Sequence, residues 1–344
     1  SHSDHGPEVQ QLESIYYQTT ALGAGAGIIS VALSSFFTGI SRTRVVMIVN
    51  AFAALMNIGL DVLLIFGFFG LPALGMMGAA LATVAAQWIK VACYVYVIRR
   101  EGLGREFSMS NWRIDWKLLR RMFSYGGQSG LQVFIETGAF TVFVIVMGQL
   151  GEDELAANTL AFSVNMLAFL PVLGIGMAVS TLVGQQLGRD RADLAGRATY
   201  TALVMGAMYA GFMAILFVSI PEILLMAHLG SDSPEKFQRL RELSIVLLRF
   251  VACYTLLDMT HIVFVSAIKG AGDTKFVLVA TVIISATATG LGICGQQCWD
   301  WTLYQFWIVL TSWICLLGVV YWLRFAAGQW QGMRVIEQEF LREA

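Results

Sequence analysis

Two six-residue stretches of this chain match each other: Gly39-Ile40-Ser41-Arg42-Thr43-Arg44 and Gly270-Ala271-Gly272-Asp273-Thr274-Lys275. When they are aligned on their first glycines, the threonines coincide and an arginine falls on a lysine. Each stretch ends a long apolar run and is followed by two further apolar segments. The match therefore indicates an internal repeat, in which one group of elements occurs twice along the chain.

The composition is that of a membrane protein. Hydrophobic residues make up 57% of the 344 residues, charged residues make up 13%, and the mean hydropathy is +0.69. The apolar runs reach the ~20 residues that a helix needs to cross a bilayer. Strands of a membrane barrel would instead alternate between apolar and polar residues. We count about nine runs, near 15–38, 45–68, 73–98, 120–149, 155–183, 196–219, 243–268, 276–296 and 302–325. The predicted fold class is an all-α polytopic membrane protein.

Basic residues alternate between the two ends of the predicted spans. They follow the odd-numbered spans, whereas the other connections contain only Lys236, Arg239 and Arg241. Since basic residues favour the cytoplasmic side, the odd-to-even connections and the C-terminus are predicted to be cytoplasmic. The two repeat copies then share one orientation, as parallel repeats do, and such repeats are typical of transporters.

The repeat predicts a two-lobe organisation. Residues 1–98 would form the C-terminal half of an N-terminal lobe, 99–119 a cytoplasmic linker whose later part is an amphipathic interfacial helix, 120–326 a six-helix C-terminal lobe, and 327–344 a cytoplasmic tail. We expect the chain to be a fragment that has lost the first three helices of a twelve-helix protein. The alternative is a short natural protein that begins outside the cell.

Two carboxylates are predicted deep inside spans of the C-terminal lobe. Glu136 lies about 24 Å of helix from Arg120, and Asp258 lies about 16 Å of helix from Lys269. A carboxylate in hydrocarbon costs ~2.5–3.5 kcal/mol even on the insertion scale, so intramembrane acids usually serve ions or substrates. Both acids are therefore candidate functional residues, with a hydrogen-bonded helix contact as the alternative.

Asp258 shares its helix face with Tyr254, one turn earlier, and with His261, one turn later. A carboxylate, a phenol and an imidazole in one stripe could hold a proton or a small cation, and their oxygen atoms would suit Na⁺. For Asp258 the pattern favours a functional role. For His261 it slightly favours a structural contact with a backbone carbonyl, and a role as a proton relay stays open.

A comparable polar pair lies in the N-terminal lobe, where Asn57 and Asp61 share one helix face. By the glycine alignment the repeat counterpart of Asp61 is Gly292, so the fold itself does not require an acid there. A second polar site at this pair and a purely structural role are both open.

Enzyme motifs are absent from the sequence. It contains no GxxxxGK[ST], HExxH, GxSxG or CxxC pattern. We therefore predict no enzyme activity, no cofactor other than a coupling ion, and no metal site other than a possible Na⁺ at Glu136, Asp258 and Tyr254.

Four groups of motifs resemble those of the MATE family, the multidrug and toxic compound extrusion transporters. They are Asn57-Ile58-Gly59-Leu60-Asp61 with Ile65-Phe66-Gly67; Gly70-Leu71-Pro72-Ala73-Leu74-Gly75 with Gly78-Ala79-Ala80 and Ala82-Thr83; Gly184-Gln185-Gln186-Leu187-Gly188; and Gly270-Ala271-Gly272-Asp273-Thr274-Lys275. The chain as a whole resembles helices four to twelve of NorM-type members. The first repeat stretch departs from the pattern of two glycines, and we expect no consequence for ion coupling.

The resemblance implies twelve helices in two six-helix lobes around a central cavity. It implies export of organic, often cationic drugs and toxic compounds across the inner membrane in exchange for H⁺ or Na⁺. In NorM-type members a Glu, an Asp and a Tyr one turn before that Asp form the cation site, and Glu136, Asp258 and Tyr254 match these positions. Asn57 and Asp61 resemble a polar pair that members place in the N-terminal lobe.

We accordingly expect the full-length protein to be a monomer in the lipid bilayer that binds small organic cations and drugs and no nucleic acid. Two other functions stay open. A lipid-linked saccharide flippase of the same superfamily would have a basic central cavity, whereas these spans offer mainly acids. A membrane-embedded enzyme would need a nucleophile or a metal constellation, and the sequence shows neither.

Overall fold

The computed structural model describes most of the chain. The described residues are 7–68, 72–107, 109, 114–226 and 234–333. The chain divides into two compact units, Ser1–Ile114 and Asp115–Ala344, and the boundary lies within the segment predicted as the linker. The assignment of these regions to lobes, linker and tail stays a prediction.

The described part of the first unit contains α1 (Pro7–Gly39), α2 (Thr43–Phe66), α3 (Gly75–Arg100) and the short α4 (Leu103–Glu106). Helix α3 packs against both α1 and α2. At the contact with α2, a Cβ added to Gly78 would stand 2.6 Å from the carbonyl oxygen of Leu64. Lipid chains are as apolar as the side chains, so close van der Waals contact at small residues, rather than the hydrophobic effect, holds such helices together.

The second unit contains α5 (Trp116–Gly148), α6 (Glu152–Gly188), α7 (Ala192–Ser219), α8 (Pro221–Met226), α9 (Pro234–Ala271), α10 (Thr274–Trp299), α11 (Leu303–Ala326) and a 3₁₀ helix (Gln329–Gly332). Helix α9 packs against α6, α7 and α11, while α10 packs against α5 and α11. Where α9 crosses α6, a Cβ on Gly270 would lie 2.4 Å from the Ser180 carbonyl oxygen. Helix α9 is thus enclosed by its neighbours over much of its length.

Nine helices among the described residues are long and apolar enough to cross a membrane. They are α1, α2, α3, α5, α6, α7, α9, α10 and α11. The predicted all-α polytopic fold is confirmed. One boundary differs: α9 begins at Pro234, before the predicted span near 243–268.

Residues 116–119, in the part of the linker predicted as an amphipathic interfacial helix, form the first turn of α5, and their position at the membrane interface stays a prediction. The side chain of Asp115 accepts hydrogen bonds from the backbone N–H groups of Lys117 and Leu118 at 2.8 and 3.1 Å. An aspartate at this position satisfies donors that a helix leaves unpaired at its start. Residues 110–113 of the predicted linker lie outside the described residues.

The two repeat stretches fold in the same way. The residues at equivalent positions, Ser41 and Gly272, both have left-handed backbone, with φ of 64° and 96°. In each turn the N–H of that residue donates to the carbonyl three residues earlier at 3.0 Å. The following N–H donates to the carbonyl five residues earlier, at 2.8 Å in the first turn and 3.1 Å in the second. Helices α2 and α10 then begin at the matching Thr43 and Thr274.

Candidate functional site

Helix α5 carries a row of three polar side chains, Gln128, Gln132 and Glu136, which share one face because they are spaced four apart. Nε2 of Gln132 donates a hydrogen bond to Oε2 of Glu136. Gln132 is only 2% exposed, whereas the Glu136 side chain is 31% exposed. At the other end of the row, the hydroxyl of Thr274 donates to Oε1 of Gln128 at 2.5 Å. The row therefore runs from the start of α10 to a half-buried carboxylate.

Helix α9 contributes a carboxylate and an imidazole. Nδ1 of His261 lies 3.3 Å from Oδ1 of Asp258, and their side chains are 5% and 14% exposed. This contact follows from the spacing of three, which puts both side chains on one face of a helix. The partner of His261 is thus a carboxylate rather than the backbone carbonyl that the sequence slightly favoured.

The imidazole of His261 also faces α5. Its Nε2 lies 3.8 Å from Oε1 of Glu136, close enough for electrostatic attraction but too long for a hydrogen bond. Within the described part of the chain, this buried nitrogen has no hydrogen-bond partner. One imidazole thus stands between the carboxyl groups of Glu136 and Asp258. We refer to Glu136, Asp258 and His261 as the acid–histidine cluster.

Helix α11 holds the imidazole from its other face. The ring of Tyr321 stacks on that of His261 with a centroid distance of 5.6 Å and an interplanar angle of 22°. The Tyr321 hydroxyl lies 2.7 Å from the hydroxyl of the buried Thr281 and donates to the carbonyl of Val277 at 3.3 Å. Because this tyrosine is fixed to α10 at its far end, it confines the orientation of the histidine ring.

Tyr254, the third residue of the predicted cation site, lies one turn before Asp258 and is buried. Its ring centroid is 6.2 Å from that of Trp307, at an interplanar angle of 32°. The structure therefore brings Glu136, Asp258 and His261 together and places Tyr254 beside them in aromatic packing. The role of all four residues in ion binding stays a prediction.

Gln132 and Lys269 are members of this region that sequence reasoning missed. Nζ of Lys269 donates a hydrogen bond to Oε1 of Gln132, whose amide nitrogen donates to Glu136. The spacing of Gln132 and Glu136 along α5 could have indicated the amide. Lys269 follows an odd-numbered predicted span, where the sequence predicts cytoplasmic bases, and its contact with α5 depends on helix packing.

The polar pair of the first unit lies on α2, where Asn57 and Asp61 are both half-buried. Nδ2 of Asn57 is buried and has no hydrogen-bond partner among the described residues. A site at this pair stays a prediction. In the same described ranges, no group of three or more His, Cys, Asp or Glu side chains is arranged to hold a metal ion.

Comparison with known proteins relates this chain to membrane transporters. A family model described as MatE matches residues 129–293. The chain is 28% identical over 283 residues to the "Probable multidrug resistance protein NorM" of Oceanobacillus iheyensis, covering 80% of this chain and 61% of that protein. It is 28% identical over 334 residues to the "Multidrug resistance protein NorM" of Aliivibrio fischeri, covering 93% and 71%. A similar match to the NorM of Brucella suis spans 52% of that protein's length. The chain thus spans about half to two thirds of the length of several such relatives.

Solved structures share the fold. An outward-facing multidrug resistance MATE family transporter of the MOP superfamily superimposes with a TM-score of 0.82 at 18% identity, covering 95% of this chain and 72% of that one. A MATE crystal structure in the bent conformation gives a TM-score of 0.81 at 17% identity, with 95% and 71% covered. At these identities the likeness establishes the fold.

The described residues contain nine candidate spanning helices, a repeated turn and acids within those helices, which are features typical of secondary transporters. The chain resembles the NorM-type members of the MatE family, whose model matches residues 129–293. The family resemblance seen in the sequence motifs is thereby confirmed. Members of this family are transporters, so the alternative of a membrane-embedded enzyme is set aside.

Proposed function

We propose that this chain is part of an antiporter that exports organic, often cationic drugs and toxic compounds in exchange for H⁺ or Na⁺. The observation that carries the proposal is the meeting of Glu136 and Asp258, from two different helices, at the imidazole of His261. Two carboxyl groups near one ring inside a span favour the binding of a cation, because their charges repel each other in its absence. The names of the NorM relatives support drugs as the exported compounds.

The acid–histidine cluster offers chemistry for either coupling ion. Nε2 of His261 is buried and lies 3.8 Å from Oε1 of Glu136, so the negative charge of that carboxylate would favour a proton on this nitrogen. The oxygen atoms of Glu136, Asp258 and Tyr254 suit Na⁺, because hard cations prefer oxygen ligands. We treat H⁺ and Na⁺ as two forms of one proposal, which the experiment below distinguishes.

Coupling would arise because the ion and the drug favour different conformations. The ion binds between α5 and α9, since each of these helices supplies one carboxyl group of the cluster. Its binding would therefore stabilise the arrangement of helices that brings the two acids together, while a drug would stabilise another arrangement. A gradient can drive export only through such a difference in affinity between two states.

The remaining expectations belong to the same proposal. The protein would act as a monomer in the inner membrane with its C-terminus in the cytoplasm, as the alternation of basic residues indicates. It would bind small organic cations, use no cofactor besides the coupling ion and bind no nucleic acid. The pair Asn57 and Asp61 would form a second polar site.

The test is efflux from proteoliposomes that contain the natural full-length protein, with ethidium as the fluorescent organic cation. A pH gradient and a Na⁺ gradient are imposed separately. We expect one of them to drive ethidium transport, and Asp258→Asn to reduce it to the level of empty liposomes. Asp300→Asn is the matched control, because Asp300 lies exposed at the far end of α10. Absence of gradient-driven transport by the wild type would overturn the proposal, and full activity of Asp258→Asn would remove the cluster from coupling.

A further inference from the structure

A chain of side chains leads from the end of α9 to the candidate cation site. Lys269 donates from Nζ to Oε1 of Gln132, and Gln132 donates from Nε2 to Oε2 of Glu136. Gln132 is almost completely buried, so its amide is enclosed between the ammonium and the carboxylate. Lys269 is thus linked to Glu136 by two hydrogen bonds through one amide group.

The chemistry of the ammonium group fixes the orientation of this amide. An ammonium has three donors and no acceptor, so it can contact only the oxygen of the Gln132 amide. The NH₂ end then points towards Glu136, whose carboxylate accepts its hydrogen bond. If the amide were reversed, its oxygen would face a carboxylate oxygen and both contacts would be lost. Lys269 therefore determines how Gln132 is turned.

The orientation of Gln132 in turn determines where the carboxyl group of Glu136 lies. Oε2 accepts the hydrogen bond from Gln132, while Oε1 faces His261 Nε2 at 3.8 Å. Without the amide contact, a half-exposed glutamate on a helix could adopt other rotamers. The contact thus holds one carboxylate in the position that completes the acid–histidine cluster.

The repeat turn supports this arrangement from the other side. The carbonyl of Lys269 accepts a hydrogen bond from the N–H of the left-handed Gly272 at 3.0 Å. Beyond the turn, Thr274 contacts Gln128, one helical turn before Gln132 on α5. The turn between α9 and α10 is therefore joined to the polar row of α5 at two successive positions.

We propose that Lys269 and Gln132 are positioning residues of the coupling-ion site, which hold the Glu136 carboxylate next to His261. This inference rests on the proposed function. Neither residue binds the ion itself, and both act through the position of the Glu136 carboxylate. Their loss therefore weakens ion binding, while the route of the drug is unchanged. The concentration of coupling ion that gives half-maximal transport should therefore change more than the maximal rate.

The experiment measures ethidium efflux in the same proteoliposomes against the concentration of the driving ion, either Na⁺ or H⁺. We expect Lys269→Met and Gln132→Leu each to raise the half-saturating concentration about tenfold, which corresponds to about 1.4 kcal/mol, because each removes a hydrogen bond to a charged group. The maximal rate should stay within about twofold. Lys269→Arg should restore most of the affinity. The half-saturating concentration of the double variant should be no higher than that of the more impaired single variant, because both residues act through the same series of hydrogen bonds.

Lys275→Met is the matched control, because this lysine lies in the same turn with its side chain exposed. A second measurement, the ion-dependent rise in Tm of the purified protein, gives the half-saturating concentration without transport. An unchanged half-saturating concentration in Lys269→Met, or an effect of Lys275→Met as large, would overturn the positioning role. If the wild type shows no efflux under either gradient, the proposed function fails, and the Tm measurement still decides the role of Lys269.

Discussion

Arg324 contacts one carboxylate oxygen of Asp273 through two nitrogens, with Nε 2.8 Å and Nη2 2.7 Å from Oδ2. Asp273 follows the left-handed residue of the second repeat turn, so the contact joins this turn to the last turn of α11. At the equivalent position of the first turn stands Arg42, which forms an ion pair with Glu101 at the end of α3. In each repeat an ion pair thus joins the turn to the end of the third helix. The base lies in the turn in the first repeat, whereas the acid lies in the turn in the second.

We expect Arg324→Gln to lower the free energy of unfolding by about 1–3 kcal/mol, because the mostly buried carboxylate of Asp273 would lose its charged partner. The guanidinium also lies 4.5 Å from the centre of the Phe276 ring, a contact that is lost as well. Thermal unfolding in detergent measures the effect. Arg324→Lys is the control and should lose less, since it keeps the charge but cannot make two parallel contacts. Equal Tm values for Arg324→Gln and the wild type would contradict this prediction.

Substitutions at the equivalent residues Gly272 and Ser41 of the two repeat turns should change the free energy of unfolding in opposite directions. Left-handed backbone costs an L residue with a Cβ about 1–2 kcal/mol, and glycine avoids this cost. Gly272→Ala should therefore lower the free energy of unfolding by about 1–2 kcal/mol, whereas Ser41→Gly should leave it unchanged or raise it by up to about 1 kcal/mol. Gly39→Ala is the control, because a Cβ at Gly39 meets no atom within 4 Å. A loss of stability in Ser41→Gly would show that its hydroxyl outweighs the backbone strain.

The spans were predictable from the sequence because a helix in lipid satisfies all its backbone groups internally and so requires one long apolar run. The shared face of Asp258 and His261 was predictable because it depends on helical geometry alone. The contact between His261 and Glu136 was not predictable from the sequence, since it depends on which face of α5 meets α9. Helix α9 is also packed closely by α11, where a Cβ at Gly318 would lie 3.4 Å from the backbone nitrogen of His261.

The contact that Lys269 makes was likewise not predictable from the sequence. Lys269 follows an odd-numbered predicted span, where the sequence predicts cytoplasmic bases, and in the structure its ammonium group contacts Gln132. A lysine side chain is long enough to make either contact. The sequence therefore identified the acids of the candidate site but not the residues that orient them.

The hydrogen bond between Tyr321 and Thr281 supports the ring that stacks on His261. We expect Tyr321→Phe to keep the stacking and to lower the free energy of unfolding by about 1–3 kcal/mol, because the buried hydroxyl of Thr281 loses its partner. The double variant Tyr321→Phe with Thr281→Val should recover part of this loss, since replacing both partners with apolar groups leaves none unpaired. Thermal unfolding of both single variants and the double variant measures this. A double variant less stable than either single variant would contradict the expectation.

His261 itself should matter for transport more than for folding. His261→Asn is too short to stand between Glu136 and Asp258, so the two carboxyl groups would face each other without the ring between them. We expect gradient-driven ethidium efflux to fall more than tenfold, which corresponds to about 1.4 kcal/mol or more, with similar amounts of folded protein in the liposomes. The control is Thr260→Val on the same helix, where the hydroxyl donates a hydrogen bond to the carbonyl of Leu256 in its own helix, at 3.3 Å. If His261→Asn transported ethidium as fast as Thr260→Val, the imidazole would be a packing residue and the coupling ion would have to be held by the two acids alone.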